Sequence, residues 1–312
     1  MQNRRVFSHI IAISVIFLSA LVIANFGGSK AYASTPQTEL IPAYIYPANL
    51  TGSGLTETQM NGKNIWHHLC DTTSTEGDSS TIIADPGSPG GPGSSYDSNY
   101  GSAINHCVND GVNVIGYVYT DYGARSLPSV EADVAEWVTL YGDNIEGIFI
   151  DQVPTTTNYS ACPAYGSIPN DCEYYYSQLN AYIQSEISNS LIVANMGAAP
   201  TTDWPISNSA MSGHPFDLVN IFEGPVSSFT TWSPPSWVAS DGAGGSVSAT
   251  VYQDYPTSDT ASADASTVCT QVQNQGIQTG VAWSNTSGAN WSSDPTTVTG
   301  NGIWDDLRSD GC

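Results

Sequence analysis

The chain has 312 residues, of which 40% are hydrophobic and only 11% charged, and its formal charge is −23 at pH 7. So acidic a chain repels phosphate backbones, which excludes nucleic acid as a partner. Beyond its first residues no run is long and apolar enough to span a bilayer.

The chain opens with Arg4 and Arg5, an apolar run from Ile10 to Ala24, and the small-x-small pattern Ala31-Tyr32-Ala33. Together these read as a secretory signal peptide over residues 1–33, too short in its apolar part for a permanent span. The expected product is a secreted, extracellular domain over residues 34–312, close to the typical size of a (β/α)₈ barrel, about 250 residues. Residues 1–33 carry three of the six basic residues and no acidic one, so the mature charge moves from −23 to −26. This charge either keeps the protein soluble or attracts a polycationic substrate.

Short β-branched or aromatic runs then recur eight times, at Ile41 to Tyr46, Thr81 to Ala84, Val112 to Tyr119, Ile145 to Asp151, Leu191 to Met196, Leu218 to Glu223, Ala249 to Gln253 and Gln278 to Trp283. They are continuous rather than alternating, which suits parallel strands buried on both faces. Between them lie stripes at helical spacing. Ile104, Cys107 and Val108 are closed by Gly111. Val130, Val134, Trp137, Val138 and Tyr141 follow Ser129 as N-cap. Tyr175, Leu179, Tyr182 and Ile183 make a third stripe, and Ala265, Val268, Cys269 and Val272, closed by Gly276, a fourth. Repeated strand–helix alternation predicts an α/β fold, a single-domain (β/α)₈ TIM-type barrel, with a doubly wound open sheet as the alternative.

All six cysteines lie beyond residue 33, and an even count in an exported chain suggests three disulfides. Cys162 and Cys172 bracket a short loop and are expected to pair locally. Cys70 ends one helix and Cys107 lies on the apolar face of the next. Cys269 lies on a late helix, leaving Cys312 at the terminus. No cysteine or histidine spacing resembles a zinc site, His67-His68 are adjacent and point apart, and the Gly-rich stretch Asp85 to Gly93 lacks the P-loop lysine. No G-x-S-x-G elbow occurs. No metal or cofactor is therefore expected.

In a parallel barrel the active site forms where the carboxyl ends of the strands meet. The polar residues ending the runs are Tyr44 and Tyr46, Asp85, Tyr119 with Asp121, Asp151-Gln152, Asn195, Glu223, Gln253 with Asp254, and Trp283 with Asn285. Acids, amides and aromatics on one rim suit a sugar site. Asp151 follows the apolar Gly147-Ile148-Phe149-Ile150, where an unpaired charge would be costly, so it needs a partner or a role. Glu223 repeats the pattern after Val219-Asn220-Ile221-Phe222. The two form the carboxyl pair that glycoside hydrolysis requires.

Ile41-Pro42-Ala43-Tyr44-Ile45-Tyr46-Pro47, Val114 to Gly123 with Arg125 and Trp137, and Ile145 to Asp151 resemble strand motifs of the spherulin type 4 family. The resemblance implies a (β/α)₈-barrel glycoside hydrolase cleaving α-1,4-linked N-acetylgalactosamine in galactosaminogalactan-type exopolysaccharide in endo fashion. The family's key acids are an Asp-Glu pair ending the fourth strand and a Glu ending the sixth, and Asp151 and Glu223 fit the first and last of these. They are expected to act as nucleophile and acid/base, with the strand-end residues Gln152, Tyr44, Asp85, Tyr119, Asp121, Asn195, Gln253 and Trp283 binding sugar. Two positions depart from the family pattern: Gln152 stands where Glu is common, and Asp85 where Asn is. Glutamine cannot ionise, though it can hydrogen-bond a sugar. The expected partner is an extracellular polysaccharide, polycationic if the charge serves attraction, met by a monomer with no membrane contact after signal cleavage. The rival readings are a non-catalytic glycan-binding or cell-surface protein and a hydrolase of another extracellular glycan.

Overall fold

The computed structural model describes residues 39–47, 66–67, 69–71, 80–207, 215–240, 246–252, 261–275, 277 and 281–284. Eight parallel strands form one sheet in chain order: β1 (Glu39–Ala43), β2 (Ser80–Ala84), β3 (Asn113–Tyr119), β4 (Gly147–Asp151), β5 (Leu191–Asn195), β6 (Leu218–Pro225), β7 (Val247–Tyr252) and β8 (Val281–Ser284). β8 returns beside β1. A doubly wound sheet would reverse its strand order at a switch point, so sequential order with adjacent first and last strands identifies the (β/α)₈ architecture. The helices include α1 (Ser98–Asn109), α2 (Leu127–Tyr141), α3 (Cys172–Glu186), α4 (Val226–Phe229), α5 (Ser236–Ser240) and α6 (Ala261–Gln275).

Continuous apolar runs are explained by two separate cores. Leu40, Ile83, Ile115, Tyr117, Phe149, Val193 and Leu218 pack inside the barrel. Their strand neighbours, such as Ile82, Val114, Val118, Ile148, Ile150 and Ile192, pack outward against Trp137, Tyr175, Leu179 and Ile183 of the helices. Each such burial stabilises by roughly 1.5–3 kcal/mol. Side chains alternate along a strand, so the inward set continues at every second residue toward the carboxyl ends. Trp137 lies so close to β3 that a β-carbon at Gly116 would stand 2.6 Å from its ring, which requires glycine there.

Helix α2 begins earlier than Ser129. Ser126 is its N-cap, and Pro128 lies in its first turn, where a missing N–H costs nothing. Asp97 caps α1 by accepting from the N–H groups of Asn99 and Tyr100. Cystines join Cys70 to Cys107 and Cys162 to Cys172. Residues 1–33 and Cys312 lie outside the described residues, and nothing is described of the Cys269 side chain.

Candidate active site

The interior alternation on β3 runs from Ile115 through Tyr117 to Tyr119, on β4 from Phe149 to Asp151, and on β5 from Val193 to Asn195. Asp151 therefore sits one step above the apolar interior layer. Each of its carboxylate oxygens accepts one hydrogen bond. Tyr117 Oη donates to Oδ2 at 2.6 Å, and Asn195 Nδ2 donates to Oδ1 at 2.8 Å. The Tyr117 ring is held edge-on by Tyr44 at 5.7 Å and stacked by Phe149 at 6.0 Å. Burial, the charge of Asp151 and the hydrogen bond to it raise the Tyr117 pKa, so the phenol remains a donor.

Glu223 reaches the same place by a different device. Leu218 packs inside the barrel, Val219 outside, and Asn220 bonds inward. Strict alternation would then turn Glu223 outward. Between Asn220 and Phe222 the register against β7 slips by one residue, so Ile221 and Phe222 both face the outer core. This bulge restores Glu223 to the inner rim, where it meets Asn195. Phe222 is held outside by Phe229 and Trp232, each at 5.1 Å.

Asn195 joins the two acids. Its Nδ2 also donates to Glu223 Oε2 at 3.4 Å. Its orientation is fixed, because Oδ1 accepts from the Gly197 N–H at 3.0 Å and from Asn220 Nδ2 at 2.8 Å. One nitrogen within reach of both carboxylates limits their facing oxygens to a separation no greater than the sum of 2.8 and 3.4 Å. Glu223 is exposed at the barrel mouth. Even so, the surrounding protein desolvates its carboxyl, and this raises its pKa; the Asn195 hydrogen bond opposes the shift and the Asp151 charge adds to it.

Tyr44 stands over this group. Burial first, then the neighbouring Asp151, Tyr117, Asp85 and Glu223, raises its pKa far above the ordinary tyrosine value. Asp85 directly follows β2 and accepts the Gly91 N–H at 2.6 Å, while the Gly87 N–H bonds to the Gly91 carbonyl at 2.8 Å. The Gly-rich stretch is thus a loop folded back onto Asp85. A β-carbon at Gly90 would stand 2.6 Å from the Tyr117 ring, so this loop walls the site. Burial raises the Asp85 pKa to about 6, opposed by the Gly91 hydrogen bond and aided by the Asp151 charge.

The turn after Asp151 is buttressed from outside the barrel. Buried Thr120 donates its hydroxyl to the Gln152 carbonyl at 2.9 Å and lies 2.7 Å from Tyr176 Oη. The Tyr122 N–H donates to the same Gln152 carbonyl at 2.9 Å. Gln152, Asp121 and Tyr122 all have left-handed backbones, with φ of 58°, 49° and 54°. Such conformations are uncommon for residues other than glycine and gather where function over-determines the backbone. Tyr119 accepts Arg125 Nη1 at its carbonyl, and the Arg125 guanidinium lies 4.2 Å over its ring. Asp121 is exposed on the rim.

The structure thus gathers Asp151, Asn195, Glu223, Tyr44 and Asp85 and places Gln152, Tyr119 and Asp121 on the same rim. Gln253 lies outside the described residues. Trp283 falls on β8, and nothing further is described of its side chain. Tyr117 and Asn220 contribute hydrogen bonds that the run-ending rule missed, because both sit inside apolar runs. Asp71, His106 and Asp110 have ligating atoms within 4.8 Å of one another. They form a polar cluster at the C-terminal end of α1, with His106 Nε2 at 2.7 Å from Asp71 and 3.2 Å from Asp110.

The model of the family described as spherulation-specific family 4 matches residues 39–300. The chain belongs to this family. Spherulin-4 of Physarum polycephalum is 29% identical over 171 residues, covering 54% of this chain and 42% of the Physarum protein. The chain therefore matches less than half the length of that relative. The fold resembles that of Sph3 from Aspergillus clavatus, whose crystal structure is in complex with GalNAc. That match has a TM-score of 0.64 at 20% identity, over 89% of this chain and 99% of Sph3. It also resembles the endo-1,4-beta-mannanase of Rhizomucor miehei, with a TM-score of 0.50 at 11% identity, over 88% and 93% of the two chains. At these identities the likeness is one of fold.

Proposed function

We propose that this chain is a secreted glycoside hydrolase that cleaves α-1,4-linked N-acetylgalactosamine or galactosamine within a galactosaminogalactan-type exopolysaccharide. In this reading residues 1–33 are removed on export and residues 34–312 work as one domain. The observation that carries the reading is the Asn195 nitrogen shared by Asp151 and Glu223. This shared donor keeps the facing oxygens near one another, which is compatible with the carboxyl spacing of retaining enzymes, about 5–5.5 Å, and retention is the outcome we expect. The family membership and the GalNAc bound to Sph3 support the choice of sugar.

Asp151 attacks the anomeric carbon while Glu223, whose raised pKa helps it hold a proton, protonates the departing glycosidic oxygen. Glu223 then takes a proton from water, and that water releases the sugar from Asp151. Asn195 and Tyr117 hold Asp151 in line throughout.

The test is incubation with purified galactosaminogalactan. New reducing ends, with the anomeric configuration retained, are expected from the parent. Asp151→Asn and Glu223→Gln should each lose them. A parent protein that releases none would overturn the reading. Gln152 favours one second reading, a glycan-binding protein without catalysis, because its amide cannot ionise. Recovery of cleavage in Gln152→Glu alone would select that alternative.

A further inference from the structure

Most large apolar side chains that are exposed among the described residues lie on two neighbouring loops: Tyr122 after β3, and Tyr159, Tyr165 and Ile168 after β4. Both loops leave the carboxyl ends of strands, on the face that carries Asp151 and Glu223. Tyr122 and Tyr159 are 44% and 41% exposed, with ring centroids 5.9 Å apart.

This pair is built rather than incidental. Tyr122 has a left-handed backbone at φ 54°, a conformation a bulky residue rarely adopts. The Cys162–Cys172 cystine lies beneath both residues: Cys162 Sγ is 3.8 Å from the Tyr122 carbonyl oxygen, and Cys172 Sγ is 3.9 Å from that of Tyr159. Gly123 lets the cystine approach, since a β-carbon there would stand 2.5 Å from Cys162 Sγ. Tyr165, farther along the same loop, stacks on Tyr174 of α3 at 3.5 Å. The Tyr122 N–H bonds to the Gln152 carbonyl, so the pair begins one residue from the acid that attacks. Exposed Asp121 adjoins it.

We propose that Tyr122 and Tyr159 form an aromatic subsite for sugar units of the polysaccharide beyond the cleaved bond. The C–H faces of successive pyranose rings lie on the two phenols. Where a unit is a deacetylated hexosamine, its ammonium meets the ring faces and Asp121. This rests on the hydrolase reading above, and it makes that enzyme select long chains over short ones. The occupant is a glycan because the pair is tied by its backbone to the turn that follows Asp151 and the chain's strong negative charge suits a partly cationic polymer.

The experiment uses Asp151→Asn as a non-cleaving background for binding and the parent for kinetics. Two probes are compared: a long, partly deacetylated α-1,4-N-acetylgalactosamine polymer and a short oligosaccharide of the same linkage. Tyr122→Asn removes the ring while tolerating the left-handed backbone, and Tyr159→Ser removes its neighbour. The double variant is expected to bind the polymer on the order of tenfold more weakly. Its KM for polymer should rise by a similar factor, with a much smaller change in kcat, and its binding of the short probe should change far less. Tyr122→Phe, which keeps the ring, should restore polymer binding. Equal polymer binding by parent and double variant would overturn the subsite, as would equal losses on long and short probes. If the parent releases no reducing ends but still binds polymer through these tyrosines, the hydrolase reading fails and the subsite stands. Absence of glycan binding by the parent would overturn both.

Discussion

Asn195 donates to Asp151 at 2.8 Å with the same nitrogen that reaches Glu223 at 3.4 Å. Replacing it by alanine leaves both acids in place but removes their shared donor. Asn195→Ala is expected to lower kcat by about 10²-fold, in the range of losing one preorganised donor. The donor also opposes the upward shift of Glu223. Its loss should therefore move the alkaline limb of the pH–rate profile to higher pH. An unmoved limb would show that Asn195 does not act on Glu223.

Tyr117→Phe keeps the ring contacts with Tyr44 and Phe149 and deletes only the donor to Asp151. A hydrogen bond to a charged group is worth about 1.5–3 kcal/mol. A ten- to hundredfold fall in kcat is expected, roughly, together with a fall in Tm of a few degrees. Paired kinetic and thermal measurements check this. A large fall in Tm with unchanged kcat would instead make Tyr117 a packing residue.

Asp85 gives a pH prediction for stability. Its folded pKa, about 6, lies above the ordinary 3.8. The folded protein thus holds a proton that the unfolded chain releases between these values. Stability from this group is full below the unfolded value and is lost as pH rises through about 6. Asp85→Asn should remove that loss. Its Tm is expected to exceed the parent's at pH 7–8 and to converge with it near pH 4, as thermal unfolding across that range will show.

The Cys162–Cys172 cystine spans ten residues. Changing both cysteines to serine should cost about 2–3 kcal/mol by relaxing the unfolded chain's constraint. Hydrogen exchange should rise first at residues 152–171, and polymer binding should weaken with it. Unaltered exchange in that loop would show that Cys162 and Cys172 do not hold it.

Much of this architecture is written in the strands. Ile148, Phe149 and Ile150 announce burial on both faces, and Asp151 announces the rim where burial stops. Asn195 follows the same rule at the end of β5, and Glu223 ends the apolar run of β6 two residues before that strand stops. Tyr117 and Asn220 were not legible, because a strand buried on both faces shows no alternation and so does not reveal which side chains point inward. The Gln152 backbone was invisible for a related reason. Its left-handed turn is set by contacts with Thr120 and Tyr122 that are distant in sequence. The first turn of α2 was legible in Pro128, whose place favours a start before Ser129.

The slip in β6 has a practical consequence for anyone moving this chemistry elsewhere. Glu223 owes its aim to an uneven count of residues, not to its immediate neighbours. An ungapped alignment of β6 with a regular strand would set Phe222 in the acid's place. A graft that copies Glu223 alone onto a regular strand would deliver a carboxylate to the helix side of the barrel. The transferable unit is the stretch from Asn220 to Glu223 together with the Phe229 and Trp232 surface that holds Phe222 outside.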